Sequence, residues 1–489
     1  MTAFLIANMA PLMFGALVFF LLLGYPVAFA LAANGIVFGL LGMELGLLNS
    51  QLFQALPERV FGIMRNDTLL AIPFFTFMGL ILERSGMAED LLDTIGQLFG
   101  PIRGGLAYAV VFVGALLAAT TGVVAASVIS MGLISLPIML RYGYDRRVAT
   151  GVIAASGTLA QIIPPSLVLI IMADQLGRSV GDMYAGAFIP GFVLTALYAG
   201  YIFLVTMIYP NAAPALPPEA RSLRGLALIV RSVTCLLPPL VLIFLVLGTI
   251  FLGIATPTEG GAMGAAGALI LALAKRKLDW SLMKQAMDTT AKLSTFVLFI
   301  LVGSTVFGLV FRGVNGDLWV EHLLTGLPGG VLGFLIVVNV LMFVLAFFLD
   351  FFELAFILVP LLGPVAEKLG IDLIWFGVLL AVNMQTSFMH PPFGFALFYL
   401  RSVAPRSDYI DKVTNKLTAK ITTGQIYWGA VPFVVIQVIM VGLVIAFPAL
   451  VTGGLDKTKV IDTSKIQIEV QQEDYGGGAG MYGNDADKK

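Results

Sequence analysis

Long apolar runs, separated by short polar stretches, constrain the fold of this chain more than any other feature. Residues 226–255 and 425–451 are two examples. A helix that crosses a bilayer needs about 20 consecutive apolar residues. Only 12% of the residues are charged, whereas soluble domains carry roughly 25%. The sequence therefore predicts an all-α polytopic membrane protein with roughly ten to twelve membrane segments.

The apolar runs predict one transmembrane domain over residues 1–452, built from two repeats. The first repeat covers about 1–209 and the second about 226–452, joined by a Pro-rich cytoplasmic linker at 210–225. Residues 453–489 are polar and contain a Gly-Gly-Gly run. Because such a composition buries too little apolar surface to fold, this tail is expected to be disordered.

Two apolar runs, 104–140 and 330–366, are too long for one crossing and too short for two. Each is interrupted near its middle by small or polar residues, which is typical of a re-entrant hairpin whose ends lie on the same side. Non-helical backbone is tolerated at membrane depth only where it is buried or lines a watery cavity. The stretches 86–99 and 279–292 are amphipathic and predict helices lying in the membrane interface.

Basic residues predict which loops face the cytoplasm, where lysine and arginine accumulate. All four basic clusters fall on one side if the two hairpins are re-entrant. The first hairpin then opens from the cytoplasm, the second opens from outside, and the N-terminus is external. The clusters are Arg141, Arg146 and Arg147; Arg221, Arg224 and Arg231; Lys275, Arg276 and Lys277; and Arg401, Arg406, Lys412, Lys416 and Lys420.

Residues 137–165 and 364–392 align without a gap at a constant offset, with matching Pro, Gly-x-Asp and Pro-Pro positions. Each copy contains the return arm of a hairpin, a turn, and a membrane segment interrupted by Pro-Pro. The distribution of basic residues places the copies in opposite orientations. Inverted repeats with broken helices are typical of secondary transporters, whose substrate and ion sites lie at the midplane where the repeats meet.

Each Pro-Pro pair removes two backbone donors and prevents a continuous helix, which frees carbonyl oxygens. Neutral oxygens suit a hard cation such as Na⁺, whereas the N-terminus of a half-helix suits an anion. The two hairpin tips are expected to face the two breaks. The candidate sodium and substrate ligands are Thr120, Thr121, Gly122, Ser156, Gly157, Thr158, Pro164, Pro165, Asp350, Asn383, Thr386, Ser387, Pro391 and Pro392.

Structural roles compete with these ligand assignments. Threonine and serine side chains can instead bond to their own helix, and Asp350 with Glu353 can instead stabilise the second hairpin. A carboxylate at membrane depth is nevertheless a functional candidate. His390, beside the second Pro-Pro pair, is interpreted as a packing residue rather than a proton carrier.

Several functional classes are not supported by the sequence. There is no basic face or aromatic-basic platform for nucleic acid. The chain has one cysteine and two histidines, so a cysteine-based metal site and a His-Glu metal motif are excluded. An intramembrane enzyme would need a catalytic constellation that the apolar runs lack. The interpretation is therefore a transporter, with no transition metal and no organic cofactor.

The stretches ATPTEGGAMGA, PIMLRYGYDRRVATGVIAASGTLAQIIPPS and NMQTSFMHPPFGFALFYLRSVAP resemble the large, DctM-type membrane subunit of tripartite ATP-independent periplasmic (TRAP) transporters. The resemblance covers nearly the whole chain except the tail. It implies the elevator fold of the ion-transporter superfamily, Na⁺ as coupling ion, and a bacterial inner-membrane location. It also implies two partners, a small four-helix membrane subunit and a periplasmic substrate-binding protein.

The resemblance further implies that one ion site combines the tip at 120–122 with 156–158, and that a second combines Asp350 with 383–387. The expected cargo is a small organic anion such as a 2-oxo acid, another monocarboxylate or a C4-dicarboxylate. The aromatic surroundings of the second break favour monocarboxylates. A stand-alone ion-coupled carboxylate transporter of the same superfamily is the alternative.

Overall fold

The computed structural model describes residues 2–121, 124–392, 394–411 and 413–455, without the side chains of 119–121. The chain forms one compact unit that ends at Leu455. In the described part, six helices are long and apolar enough to cross a membrane, by length and composition. They are Val27–Glu44, Val124–Arg141, Val180–Ile208, Gly225–Phe251, Trp280–Gly313 and Thr423–Ala446.

The first half of the chain is helical throughout. Short 3₁₀ turns cover Ser50–Ala55 and Leu159–Gln161. The α-helices are α1 Thr2–Ala7, α2 Met9–Leu22, α3 Val27–Glu44, α4 Leu56–Met64, α5 Ala71–Arg84, α6 Met87–Phe99, α7 Gly105–Thr121, α8 Val124–Arg141, α9 Arg146–Thr158, α10 Leu167–Leu176 and α11 Val180–Ile208.

The second half repeats this order after a 3₁₀ turn at Pro218–Ala220, and it has a further one at Gln385–Phe388. A two-stranded hairpin, β1 Tyr409–Ile410 and β2 Leu417–Thr418, precedes the penultimate helix. The α-helices are α12 Gly225–Phe251, α13 Pro257–Ala274, α14 Trp280–Gly313, α15 Gly316–Thr325, α16 Gly330–Leu345, α17 Phe351–Ile357, α18 Val359–Lys368, α19 Leu373–Met384, α20 Phe395–Val403, α21 Thr423–Ala446 and α22 Ala449–Thr452.

The Gly-x-Asp turns that the repeat predicts have the same geometry in both halves. Gly143 and Gly370 have φ values of 83° and 73°, in the left-handed region that glycine adopts without strain. Asp145 and Asp372 then cap α9 and α19, each side chain accepting backbone N–H bonds from the first helical turn. Aspartate is a preferred N-cap residue, so the sequence sets both helix starts locally.

Equivalent helices exchange partners across the two halves: α3 packs on α14, and α13 packs on α5. Small residues allow these close contacts. A Cβ added at Gly35 would lie 2.9 Å from the carbonyl oxygen of Val306, and one at Gly264 would lie 2.5 Å from Met78 Sδ. Such reciprocal contacts are those of a two-fold arrangement.

Both ends of the first hairpin lie against the same part of the linker. The backbone N–H of Gly104, just before α7, donates to Ala213 O at 2.8 Å. The N–H of Asp145, just after α8, donates to Ala212 O at 2.8 Å. The start of α7 and the end of α8 are therefore both attached to neighbouring residues of the linker. At the second hairpin, Lys368 at the end of α18 is paired with Glu321 of α15.

One boundary differs from the expectation. The stretch 279–292 was expected to form a separate interfacial helix, but it is the first part of the continuous 34-residue helix α14. By contrast, α6 is a separate amphipathic helix, as expected for 86–99. The predicted tail lies outside the described residues from 456 onward.

Candidate functional site

The two broken segments have matching geometry. In the first, α9 ends at Thr158, a 3₁₀ turn follows, and α10 begins at Leu167. In the second, α19 ends at Met384, a 3₁₀ turn follows, and α20 begins at Phe395. The Pro164-Pro165 and Pro391-Pro392 bonds are both cis. The helices are interrupted where the proline pairs predict.

Part of the polar stretch before each proline pair is still helical. Ser156 and Gly157 belong to the last turn of α9, and Asn383 belongs to α19. They are therefore helical residues at a carboxyl end, where the partial negative charge of the helix favours cations. Thr386 and Ser387 lie in the 3₁₀ turn beyond α19.

The two breaks are in direct contact at equivalent positions. Gln385 Nε2 donates to Thr158 O at 2.7 Å and lies 3.4 Å from Thr158 Oγ1. Both residues are fully buried, and they are separated by 227 positions, which is the offset of the repeat. The two carboxyl ends of α9 and α19 therefore meet at the centre of the molecule.

A third buried amide joins this contact from α21. Gln437 Nε2 donates to the Tyr198 hydroxyl of α11 at 2.9 Å and lies 3.4 Å from Thr158 Oγ1. Gln437, Tyr198 and Thr158 are each fully buried. The first break is thereby linked to two long helices, α11 in the first half and α21 in the second.

Five buried side-chain oxygens around the two breaks have no hydrogen-bond partner among the described residues. They are Ser156 Oγ, Gln161 Oε1, Gln385 Oε1, Ser387 Oγ and Gln437 Oε1. Unpaired buried polar atoms are rare and call for an explanation such as an ion or water. Neutral oxygens of this kind are the ligands that hard cations prefer.

The second break is attached to the second hairpin by a pair of asparagines. Asn383 Nδ2 donates to Asn339 O at 2.8 Å and to Asn339 Oδ1 at 2.9 Å. Asn339 belongs to α16, the first helix of that hairpin. Thr386 Oγ1 donates to Asn383 O at 2.7 Å. This hydroxyl therefore bonds to the main chain three residues before it, which is the structural role that competed with ion binding.

The first hairpin packs directly on the end of α9. A Cβ added at Gly114 of α7 would lie 2.6 Å from Ser156 Cβ, and one at Gly157 would overlap Val128 of α8. Both arms therefore approach the first break. Three predicted tip ligands, the side chains of Thr120 and Thr121 and residue Gly122, lie outside the described part of the chain.

The carboxylates at the second tip form a capping box. Asp350 Oδ1 accepts the N–H of Glu353 at 2.9 Å, and Glu353 Oε2 accepts the N–H of Asp350 at 3.0 Å. This arrangement satisfies two donors at the start of α17. The hairpin-stabilising role of both residues is thus present in the structure.

A cavity of about 450 Å³ lies beside the second tip. Its walls come from the α2–α3 turn around Tyr25, from Phe296 and Phe299 of α14, and from Phe348 and Glu353. The size is that of a small-molecule cleft. Glu353 is the acidic residue in this otherwise apolar and aromatic lining.

His390 packs between aromatic rings. Its ring is stacked on Phe347 with centroids 4.1 Å apart and meets Phe343 edge-on at 4.3 Å. This environment agrees with the interpretation of His390 as a packing residue.

Three polar residues of the central network were not among the predicted ligands: Gln437, Tyr198 and Asn339. Each stands within a long apolar run, and an isolated polar residue at membrane depth is itself a functional signal. Gln385, a polar residue shortly before the second Pro-Pro pair, was likewise not among the predicted ligands.

Comparisons with known proteins agree with this architecture. The family model for the DctM component of tripartite ATP-independent periplasmic transporters matches residues 14–450. A C4-dicarboxylate TRAP transporter large permease protein, DctM, of Pseudomonas aeruginosa is 32% identical over 72% of this chain and 81% of that protein. The YdaH transporter of Alcanivorax borkumensis has a related fold, with TM-score 0.55, 16% identity, and coverage of 82% of this chain and 90% of that one.

Relatives with other cargoes are similar over comparable lengths. The isethionate TRAP transporter permease protein DctMQ of Oleidesulfovibrio alaskensis is 26% identical over 84% of this chain and 63% of that protein. The sialic acid TRAP transporter permease protein SiaT of Haemophilus influenzae is 25% identical over 81% of this chain and 61% of that protein. The chain therefore belongs to the DctM family of TRAP transporter large permease components, which are inner-membrane proteins.

Proposed function

We propose that this permease imports a small organic anion across the inner membrane, driven by a sodium gradient, after delivery by a periplasmic binding protein. The observation that carries the proposal is the contact between Gln385 and Thr158, which brings two broken helices together in the buried centre. Around them lie side-chain oxygens that have no donor among the described residues. Such a centre suits Na⁺ without a formal negative charge.

The first sodium site is proposed at the end of α9, with Ser156 and Thr158 as ligands and the first hairpin tip facing them. The second is proposed at 383–387. Ser387 is its leading hydroxyl ligand, because Ser387 Oγ is buried and has no hydrogen-bond partner among residues placed in the structure. Asp350 is the remaining candidate at that site. Its carboxylate caps α17 through Oδ1.

The anion is proposed to bind next to the sodium sites, at the amino ends of α10 and α20. Ser166 caps α10, whereas α20 follows Gly394, which has no side chain to cap the first turn. Free N–H groups at a helix start favour anions. The relatives are named for C4-dicarboxylates, isethionate and sialic acid, which are all organic anions. For this chain we propose a 2-oxo acid, another monocarboxylate or a C4-dicarboxylate.

Alternating access is proposed to occur by an elevator movement. The moving unit would contain both re-entrant hairpins and both broken helices, and α2–α3 and α12–α13 would belong to the fixed scaffold. The joint attachment of Gly104 and Asp145 to the linker supports the re-entrant assignment of the first hairpin. The crossed packing of α10 on α19 and of α20 on α9 supports one rigid moving unit.

The family implies a small membrane subunit and a periplasmic binding protein, and the small subunit is proposed to have four helices. The fused relative named DctMQ agrees with a partner subunit. The test is uptake of a labelled 2-oxo acid or of succinate into proteoliposomes. We expect uptake only when this chain, its small subunit and the binding protein are all present. Uptake by the chain alone would instead favour the stand-alone carboxylate transporter.

A further inference from the structure

In the segment between α20 and α21, β1 and β2 form a small β-hairpin, named here the 409–418 hairpin, of which the structure describes every residue except Lys412. Its strands pair Ile410 with Leu417 and Tyr409 with Thr418. Residues directly opposite each other in an antiparallel pair share a face. Ile410 is 65% exposed, Leu417 is 72% exposed, and Val413 in the turn is 66% exposed. Ile410 and Leu417 therefore present two aliphatic side chains on one face, and the turn adds a third exposed one, Val413.

The inward face is polar and attached to the transporter. Asp411 is buried and accepts N–H bonds from Val413 and Thr414 at 3.0 and 2.9 Å. Its other carboxylate oxygen pairs with Arg141 Nε, at the end of α8, at 3.0 Å. At the base of the segment, Arg401 donates to Ile421 O at 2.7 Å. These contacts fix the orientation of the hairpin, so that its aliphatic side chains remain exposed.

Ile410, Val413 and Leu417 are thus exposed aliphatic side chains on a segment whose buried charge, Asp411, is paired with Arg141. Three basic residues of the same segment, Arg406, Lys416 and Lys420, are exposed. Trp428, on the second turn of α21, is 65% exposed, as expected for an aromatic residue at a membrane interface.

We propose that the 409–418 hairpin is a membrane-surface anchor that binds anionic phospholipid headgroups of the cytoplasmic leaflet. The aliphatic face would enter the headgroup boundary, and the flanking lysine and arginine side chains would contact lipid phosphates. Combined aliphatic and basic contacts are the general basis of reversible surface binding. The ion pair between Arg141 and Asp411 connects the 409–418 hairpin to α8 of the first re-entrant hairpin. Lipid binding would therefore restrain the position of α8. The surface binding itself does not depend on the proposed cargo or on sodium.

The test uses the full chain in nanodiscs, with Cys235→Ser as background and a bimane fluorophore attached at Val413→Cys. Nanodiscs contain either phosphatidylglycerol with phosphatidylcholine or phosphatidylcholine alone, each with a headgroup-level nitroxide lipid as quencher. We expect at least twofold stronger quenching in the anionic discs. A probe at Glu219→Cys, an exposed position of the linker, is the matched control and should show no such difference.

Two double variants separate the contribution of the basic side chains from that of the aliphatic side chains. The pair Lys416→Gln and Lys420→Gln should remove the difference between lipid compositions, and Ile410→Ser with Leu417→Ser should reduce quenching in both. Absence of quenching at position 413, or equal quenching with and without anionic lipid, would overturn the proposal. Protection of position 413 that requires the small membrane subunit would also overturn it in favour of a protein contact.

Discussion

Gln385 donates a 2.7 Å hydrogen bond to the main-chain oxygen of Thr158, its own equivalent position in the other half of the chain. A residue can meet its repeat equivalent in this way only near the axis that relates the two halves. The contact therefore marks the centre of the internal symmetry. It also joins the carboxyl ends of the two broken helices, around which the ion sites are proposed.

Removing this donor should destabilise the protein. In Gln385→Leu the Thr158 oxygen loses its partner in a fully buried place, and an unsatisfied buried group costs about 1–3 kcal/mol. We expect a lower midpoint of thermal unfolding in detergent. Gln54→Leu, at an exposed position, is the control and should leave the midpoint unchanged. An unchanged midpoint in Gln385→Leu would mean that the bond contributes nothing to the fold.

Ser156→Ala and Ser387→Ala should affect sodium dependence without reducing stability. Both hydroxyl oxygens are buried with no partner in the described ranges, so their removal is neutral or favourable for folding. If each binds an ion, its loss should raise the half-saturating sodium concentration by at least about tenfold, since an interaction with a charge contributes about 1.5–3 kcal/mol. Sodium titrations that match the parent protein in both variants would exclude these ligands.

Replacing Pro164-Pro165 with Ala-Ala should impair transport. The two alanines restore the backbone N–H donors that proline lacks, and the chain between α9 and α10 can then extend the helix. We expect uptake to fall severalfold while the protein remains in the membrane. Parent-like uptake would show that the break does not need the prolines.

The contact between α9 and α21 depends on glycine. A Cβ at Gly429 would overlap the main-chain oxygen of Arg147 and lie 2.8 Å from Thr150 Oγ1. Gly429→Ala should therefore destabilise the protein by roughly 1–3 kcal/mol, as overpacking does. Gly442→Ala on the same helix has open space around its Cβ and is the matched control. Equal unfolding midpoints in the two variants would contradict the close packing.

Asp411→Asn should loosen the segment between α20 and α21. Backbone hydrogen bonds from Thr414, together with Arg141, lower the pKa of Asp411 to about 2. A lowered pKa means that the stabilisation is complete above the ordinary value of about 4 and is lost as the pH falls toward 2. At pH 7.5 we expect trypsin to cleave after Lys416 or Lys420 faster in the variant than in the parent. Equal cleavage rates would show that Asp411 does not hold the loop.

The sequence predicted features that local chemistry determines. Proline pairs interrupt helices, aspartates cap them and glycines adopt left-handed turns, so both breaks and both turns were visible in the repeat. The boundary of α14 was missed because 279–292 has amphipathic character but no proline or glycine separates it from the following apolar run. An uninterrupted helix is then the simplest continuation.

The long-range part of the site was outside the reach of sequence patterns. Gln437 lies 279 positions from Thr158, and Asn339 lies 44 positions from Asn383. Neither belongs to the repeated motif, so only packing brings these side chains to the breaks. For Asp350 the sequence left two roles open, an ion ligand and a residue that stabilises the second hairpin. The structure contains the stabilising role, as a helix cap.

The most direct test of the account is anion uptake into proteoliposomes that contain the complete transporter, with sodium outside only, with equal sodium on both sides, and with potassium replacing sodium. We predict accumulation only under the inward sodium gradient, and a shifted sodium requirement in Ser156→Ala. Equal accumulation under all three conditions would contradict sodium coupling at the junction of the two broken helices.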